Sequence, residues 1–160
     1  MNFIGANILS VDQFNLDDVN TLFSVAEKMQ PYATREKVTK VLDGAILGNI
    51  FLESSTRTRV SFGSAFNLLG GHVRETSDVS SSAFVKGESV RDAARILSGY
   101  SDVICIRHPK SGSVKEFADF SRVPVINGGD GSNEHPTQAL LDLFTIKKEL
   151  ENKNRDLSKS

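Results

Sequence analysis

Cysteine is almost missing from this sequence, since Cys105 is the only one. A single cysteine excludes an internal disulfide and a cysteine-rich metal cluster. Long apolar runs are missing too: no segment approaches the ~20 residues that cross a bilayer, and Met1 is not followed by the basic residues of a secretory signal. Excess charge is also missing, because the net charge is −1. We therefore expect a cytoplasmic protein that binds neither nucleic acid nor a membrane.

The composition that remains is that of an ordinary globular domain, with 39% hydrophobic and 24% charged residues. The 160 residues are enough for one domain with its own core. Cys105 lies inside an apolar stretch and is expected to be a small buried hydrophobe. Residues 151–160 are polar and without periodicity, which is typical of a linker or a frayed end. We predict one domain over residues 1–150, followed by this polar tail or linker.

Helix-like and strand-like segments alternate along the chain. A first helix is predicted after Asn15, which can cap it, and it is expected to end at Gln30-Pro31. The apolar stripe of this helix consists of Val19, Leu22, Phe23, Ala26 and Met29. Strands are predicted over residues 46–52, 72–75, 103–107 and 123–127, and further helices over residues 56–69, 89–98, 113–120 and 136 to about 150.

This alternation predicts an α/β fold, in which about four parallel strands form one sheet with helices on both faces. Apolar residues occupy successive positions at 50–52 and at 103–106, as in strands that are buried on both faces. Ligands of such sheets bind beyond the carboxyl ends of the strands. Because Arg57, Arg107 and His135 all fall at or after a predicted strand end, we expect them to face one crevice.

A turn rich in hydrogen-bond donors follows the first predicted strand. It reads Glu53-Ser54-Ser55-Thr56-Arg57-Thr58-Arg59. A strand-to-helix turn aims backbone N–H groups and the positive end of the helix dipole at an anion. The hydroxyls of Ser55, Thr56 and Thr58 add donors. Arg57 and Arg59 add planar cations that match a phosphate. The same residues would also suit a helix that is capped by Ser or Thr and carries two solvated arginines.

Other polar positions allow a structural and a chemical interpretation. Arg107 ends a predicted strand, where an arginine is more often a surface residue or a salt-bridge partner. Pro136 suits the first position of a helix, which places His135 at the N-cap and Gln138 in the first turn. A histidine there is often a structural hydrogen bonder, but a cationic setting would lower its pKa and favour a neutral donor. The polar stretch 77–87 is, by itself, typical of a surface loop.

Several motifs carry a resemblance to a known family. The run Ser55-Thr56-Arg57-Thr58-Arg59 is similar to the carbamoyl-phosphate signature of the aspartate and ornithine carbamoyltransferases. Further matches follow in order at Ser61-Phe62, Leu69-Gly70-Gly71, Lys86-Gly87-Glu88-Ser89, Arg107-His108-Pro109, Gly129-Asp130-Gly131-Ser132-Asn133 and His135-Pro136-Thr137-Gln138-Ala139-Leu140-Leu141-Asp142. The resemblance covers about residues 46–150. Arg107-His108-Pro109 and the serine-rich loop before Lys86 resemble the aspartate branch, whereas the ornithine branch often has Cys at the position of Thr137.

The resemblance implies a carbamoyl-phosphate-binding domain and assigns its residues. It assigns the phosphate to Ser55, Thr56, Arg57 and Thr58, the carbonyl oxygen to Thr58, Arg107 and His135, and the carbamoyl amide to Gln138. Ser82 and Lys86 would enter the active site of a neighbouring subunit, which implies a homotrimer with shared sites. Regulatory chains are a further partner that the resemblance implies. No metal and no cofactor is expected. His108 is given no chemistry, so we expect a structural role for it.

The implied reaction is attack by the amine of L-aspartate on carbamoyl phosphate. A tetrahedral oxyanion forms and phosphate leaves, which yields N-carbamoyl-L-aspartate, an early intermediate of pyrimidine synthesis. Family members also hold a second domain of similar size for the amino acid, and this sequence stops after the first. We therefore expect the 160 residues to fold but not to turn over alone. Glu53 looks like a partner for arginines of that second domain, so its partner here stays open.

Three functional hypotheses follow from these observations. The chain is the carbamoyl-phosphate domain of an aspartate carbamoyltransferase, the same domain of a carbamoyltransferase for another amine such as ornithine, or a non-catalytic module that binds an anion or supports assembly. The sequence of a second domain would separate the first two hypotheses. Complementation by such a domain would test the third.

Overall fold

The computed structural model of the chain describes residues 1–76, 89–153 and 155. Its strands are β1 (Ile46–Phe51), β2 (His72–Thr76), β3 (Val103–His108) and β4 (Val125–Asp130). Its helices are α1 (Leu16–Ala33), α2 (Thr56–Leu68), α3 (Val90–Ser98), α4 (Ser113–Phe120) and α5 (Pro136–Asn152), and a single 3-10 turn, Val11–Gln13, precedes α1. None of the helices in this part of the chain is long and apolar enough to cross a bilayer.

The four strands form one parallel sheet in the order β2-β1-β3-β4. Strand β1 therefore has its successor β2 on one side and β3 on the other, with Ile50 opposite both Thr76 and Ile106. The direction of winding changes between β1 and β3, and a crevice opens beyond the carboxyl ends of two such strands. The predicted α/β class, with about four parallel strands, is confirmed.

Buried side chains form two clusters, one on each face of the sheet. The first joins β1, β3 and β4 to α3 and α4 and contains Ile50, Leu52, Ala94, Ile104, Ile106, Val114, Phe117, Ala118 and Val125. The second contains Leu47, Phe51 and Cys105, packed against Phe62 and Phe66 of α2. Strand residues alternate between the two clusters because successive side chains of a strand point to opposite faces. Cys105 is fully buried, as expected, and burial raises the pKa of its thiol.

The segment before α1 lies along the outer edge of β4. Ile8 forms a parallel bridge with Ile126. The Asn7 side chain accepts from the Val125 N–H at 2.8 Å, and Asn127 Nδ2 donates to the Leu9 carbonyl at 2.9 Å. The N-terminal segment thus covers an edge that would otherwise present unpaired backbone groups. No periodic pattern in residues 7–11 indicates this contact.

The predicted end of the first helix is wrong, because α1 continues to Ala33 with Pro31 inside it. The last turn closes beyond the proline: the Thr34 N–H and hydroxyl both donate to the Gln30 carbonyl, at 2.9 and 3.1 Å. A proline deprives a helix of one N–H donor, and here the loss falls within the final turn.

The predicted stripe of this helix is only partly buried. Phe23 packs edge-on against Phe144 of α5, with ring centroids 5.2 Å apart. Ala26 and Met29, in contrast, are exposed. The N-terminal half of the stripe is therefore the more buried half.

The bounds of β4 differ from the predicted residues 123–127. The Ser121 hydroxyl donates to the Val123 carbonyl at 2.7 Å and accepts from its N–H at 3.2 Å, so a local turn delays the start of the strand. The strand then continues through two glycines to Asp130, which pairs with His108.

Candidate active site

An open cleft of about 540 Å³ lies where α2 and α5 begin. Four of the predicted site residues line it: Arg57, Thr58, His135 and Gln138. The remaining lining residues are Ser61, Phe62, Ala65, Thr137 and Leu141. Both helices follow strands of the same parallel sheet, β1 and β4, so their N-termini meet at one edge of it. The structure thus brings together residues that are about 80 positions apart in the sequence.

The lining residues that the sequence interpretation missed have a simple spacing. Ser61, Phe62 and Ala65 follow Arg57 and Thr58 at steps of three or four residues. Residues at that spacing share one face of a helix. Helical periodicity applied to α2 could therefore have found them, and the same spacing on α5 joins Leu141 to the residues of its first turn.

Helix α2 begins at the cleft without a side-chain cap. Ser55 is its N-cap residue, with φ −156°, and within residues 1–76 its side chain makes no capping hydrogen bond. Ser89, at the start of α3, shows the usual behaviour: its hydroxyl accepts from the Asp92 N–H at 3.1 Å. The first N–H groups of a helix have no partner within the helix itself. In α2, no side chain at the N-cap satisfies them, although serine is well suited to that task.

Helix α5 also begins without a side-chain cap. His135 is its N-cap residue and Pro136 fills the first helical position, as predicted; in the part of the chain that the structure describes, the imidazole makes no capping bond. The ring lies between two hydroxyls instead. Its Nε2 is 3.4 Å from Thr58 Oγ1 and its Nδ1 is 3.3 Å from Thr137 Oγ1, with donor and acceptor set by the tautomer. The imidazole therefore connects the starts of α5 and α2.

The pKa of His135 is lowered from its ordinary value. Burial is the largest cause, the positive charge of Arg107 adds to it, and Asp142 opposes it. Burial disfavours the charged imidazolium, and a nearby cation acts in the same direction. The lowered pKa favours the neutral imidazole, in the direction that the sequence interpretation expected.

Arg107 lies beside the cleft and is not one of its lining residues. Its Nε donates to Glu53 Oε2 at 3.0 Å, and its Nη1 donates to the Gly128 carbonyl at 3.3 Å. Gly129 has φ 129°, and a Cβ there would be 2.7 Å from Nη1, so this position needs a glycine to admit the guanidinium. The partner of Glu53, which the sequence left open, is Arg107.

Arg59 does not line the cleft, contrary to the expectation that both arginines of the turn would face an anion. Its Nε lies 3.5 Å from Glu75 Oε2 on β2. Asn49 Nδ2 donates to the Arg59 carbonyl at 3.0 Å and to Glu75 Oε1 at 3.2 Å. Arg59 points away because it lies two residues beyond Arg57, on a different face of α2. Its contacts attach the helix to the sheet.

The remaining predicted residues divide into two groups. Ser55 and Thr56 occupy the N-cap and the first position of α2, next to the cleft. Ser82 and Lys86 lie outside the described residues.

His108, for which a structural role was expected, accepts from the Lys110 N–H through Nδ1 at 3.0 Å. In residues 1–76 and 89–153, no group of three or more His, Cys, Asp or Glu side chains could hold a metal ion.

Comparison with known proteins gives consistent matches. The family model of the aspartate/ornithine carbamoyltransferase carbamoyl-P binding domain matches residues 6–148. The aspartate carbamoyltransferase catalytic subunit of Cellvibrio japonicus is 69% identical over 157 residues, which cover 98% of this chain and 46% of the relative. The corresponding subunit of Methanosarcina barkeri is 46% identical over 149 residues, covering 93% of this chain and 48% of the relative.

Solved structures show the same relationship. The crystal structure of aspartate transcarbamoylase from Trypanosoma cruzi in complex with carbamoyl phosphate superposes with a TM-score of 0.85 at 40% identity. The match covers 92% of this chain and 48% of the Trypanosoma chain. This chain thus spans about half the length of the curated relatives and solved structures that it matches. From the motifs, the sheet with its cleft and the match over residues 6–148, we conclude that the chain belongs to the aspartate/ornithine carbamoyltransferase family and matches its carbamoyl-phosphate-binding domain.

Proposed function

We propose that this chain is the carbamoyl-phosphate-binding half of an enzyme that transfers the carbamoyl group to the amine of L-aspartate. The products are N-carbamoyl-L-aspartate and phosphate, as in pyrimidine synthesis. The observation that carries the proposal is the start of α2, where an N-cap serine leaves the backbone N–H groups without a side-chain acceptor in the described residues and Arg57 faces the cleft. Backbone donors, a helix dipole and a guanidinium together suit a phosphate.

The phosphate of the substrate binds to the first turn of α2. Ser55 and Thr56 stand at the N-cap and the first helical position, and Arg57 and Thr58 line the cleft. Each of these residues offers a donor, and the guanidinium of Arg57 can give two parallel hydrogen bonds to the phosphate oxygens. The leaving group therefore gains stabilisation as its negative charge grows.

The carbonyl group lies between the two helix starts. His135 and Thr58 approach each other to 3.4 Å at this point, so both can donate to the oxygen of the tetrahedral intermediate. Donors that are already in place when the charge develops stabilise an oxyanion strongly. His135 serves as a donor and not as a general base, because burial and Arg107 keep its pKa low.

Gln138 selects the amide end of the carbamoyl group. Its Nε2 donates to Asp142 Oδ1 at 2.8 Å, which orients the side-chain amide and leaves the carbonyl oxygen to accept. An acceptor at this position suits the carbamoyl NH₂, which has two donors. The bond to Asp142 thus provides a physical reason for the orientation of Gln138.

Arg107 joins the site by exchanging its partner. In this structure Glu53 holds its Nε, and carbamoyl phosphate offers it competing anionic and carbonyl oxygens. The amine of L-aspartate then attacks the carbonyl carbon: a C–N bond forms, the C–O bond to phosphate breaks with its electron pair going to the phosphate, and the proton of the amine passes to that leaving phosphate. The reaction as proposed needs no covalent enzyme intermediate, metal or cofactor.

Aspartate is preferred to ornithine as the acceptor on two grounds. Curated relatives at 69% and 46% identity are aspartate carbamoyltransferase catalytic subunits. The chain also has Arg107-His108-Pro109, and Thr137 where the ornithine branch often has Cys. The residues that would bind the two carboxylates of L-aspartate belong to a second domain, and the predicted linker toward it begins after α5 rather than at residue 151.

We also propose that the enzyme is a cytoplasmic homotrimer that can join regulatory chains, and that Ser82 and Lys86 complete the site of a neighbouring subunit. This assembly is supported by the family resemblance of the serine-rich loop before Lys86. Light scattering on the full-length protein tests it, and a monomeric mass with full activity would contradict it.

The binding experiment uses calorimetry of the purified chain with inorganic phosphate and with phosphonoacetamide, a stable analogue of carbamoyl phosphate. Arg57→Ala should weaken binding roughly 10- to 100-fold, because a hydrogen bond between charged groups is worth about 1.5–3 kcal/mol. Arg122→Ala, at an exposed position before β4, is the matched control and should bind like the unaltered chain. Unchanged affinity in Arg57→Ala would refute the proposed phosphate site.

A further inference from the structure

We propose that Glu134 is a positioning residue, which together with the N-terminal strap, defined as residues 7–11, holds His135 in place against Thr58. The inference rests on the proposed function of His135 in the cleft. Glu134 itself does not line the cleft. It acts through the backbone that it fixes, one residue before the imidazole.

Both oxygens of the Glu134 carboxylate accept hydrogen bonds from the strap. The Ser10 hydroxyl donates to Oε1 at 2.8 Å, and the Val11 N–H donates to Oε2 at 2.9 Å. Hydrogen bonds to an ionised carboxylate are stronger than those between neutral groups. Because the two bonds use different oxygens, the carboxylate is fixed in orientation as well as in position.

The backbone of Glu134 is fixed separately. Its carbonyl accepts from the Asp130 N–H at 3.1 Å and from Asn127 Nδ2 at 3.3 Å. Asn127 is buried, and the same Nδ2 donates to the Leu9 carbonyl of the strap at 2.9 Å. The strap, the end of β4 and Glu134 therefore form one hydrogen-bonded unit that is anchored to the sheet by the Ile8–Ile126 bridge.

Little conformational freedom remains between this unit and α5. His135 is the only residue between Glu134 and Pro136, whose ring fixes its own φ. The position of the imidazole is thus determined from both sides: by α5, and by the sheet through Glu134. A misplacement of about 1 Å at a reacting centre can cost 10²-fold in rate, so this attachment matters for the 3.4 Å contact with Thr58.

The test compares Glu134→Ala, Glu134→Gln and Ser10→Ala, with Glu149→Ala on the exposed side of α5 as the control. The chain has three histidines, so their ring signals can be assigned and followed by NMR. Glu134→Ala should shift and broaden the His135 signals, leave those of His72 on β2 unchanged, and weaken phosphonoacetamide binding about tenfold. Glu134→Gln retains one acceptor oxygen, so its effect should be intermediate.

The outcomes separate positioning from simple anchoring. If Glu134→Ala and Ser10→Ala lower the unfolding midpoint but leave the His135 signals and the affinity unchanged, the proposal is overturned and Glu134 only secures the strap. If Glu134→Ala fails to fold, Ser10→Ala replaces it as the test variant, because it removes only one hydroxyl. The His135 signals and the affinity of Ser10→Ala for phosphonoacetamide then decide the outcome. Failure of the unaltered chain to bind phosphonoacetamide would count against the proposed function, whereas the NMR shifts test the positioning independently of it.

Discussion

Helices α1 and α2 both begin at a residue type that caps helices well, but the two side chains behave differently. At α1, Asn15 Oδ1 accepts from the Asp18 N–H at 2.9 Å, and Asp18 Oδ2 accepts from the Asn15 N–H at 3.0 Å. This reciprocal capping box satisfies the helix internally. At α2, Ser55 makes no comparable bond within the described residues. The difference follows location, because α2 begins at the cleft, whereas Asn15 and Asp18 do not line it.

The same contrast separates α3 from α5. Helix α3 is capped by Ser89, while α5 begins at the cleft with a histidine that gives no capping bond among the residues described. An N-cap side chain contributes about 1 kcal/mol to stability. At the cleft this stabilisation is absent, and the donors remain available to a ligand. A helix N-terminus that has a good capping residue but no capping bond, as at α2, therefore indicates a binding function. Active sites commonly reduce the stability of a fold in this way.

The largest effect is expected at the start of α5. In the complete enzyme, His135→Ala should lower kcat by roughly 10²-fold, as for the loss of one oxyanion donor. Asn15→Ala removes the corresponding N-cap side chain of α1 and should leave kcat unchanged. Steady-state kinetics with both substrates measures this, and an equal loss of kcat in the two variants would abolish the distinction between the two kinds of helix start.

The next effect compares two cap residues by stability and by binding. Asn15→Ala should lower the free energy of unfolding by about 1 kcal/mol, because it removes a working cap, and should not change phosphate affinity. Ser55→Ala should show the reverse: little change in stability and weaker phosphate binding. Urea denaturation and calorimetry on the same preparations measure both quantities. A clear loss of stability in Ser55→Ala would mean that its hydroxyl does cap α2 in solution.

The smallest effect is the pH dependence of stability. The pKa of His135 is lowered in the folded chain, mainly by burial and then by Arg107, and burial also lowers the pKa of His108. The unfolded chain therefore binds more protons near pH 6.5, and the free energy of unfolding falls as the pH drops below that value. Urea denaturation between pH 5.5 and 7.5 should show this slope, and His135→Gln should reduce it. A slope of the opposite sign would mean that His135 is charged in the folded state.

Local patterns in the sequence were sufficient for much of the fold. Consecutive apolar residues identified β1 and β3, and an apolar stripe after the cap residue Asn15 identified α1, because each signal lies within one element. Pro136 at the first helical position located His135 correctly at the N-cap. These features depend on neighbours in the chain, which a sequence displays directly.

Contacts between distant segments could not be read in the same way. Glu53 meets Arg107 because Phe51 lies opposite Arg107 in the register of β1 and β3, and register is not visible in either strand alone. The opposite orientations of Arg57 and Arg59 depend on which face of α2 packs on the sheet. The attachment of Glu134 to Ser10 spans 124 positions and has no local signature at either end.

The N-terminal strap also has a consequence for how the chain is made. Residues 7–11 leave the ribosome early, but the residues of β4 that they bind follow 118 positions later. At about 5–20 residues per second, the delay is roughly 6–24 s. During that time the strap has no edge to bind, while β1, β2 and β3 can already pair. The first turn of α2 is thus synthesised well before the histidine that faces it, and the cleft is completed only when the first and last parts of the domain meet.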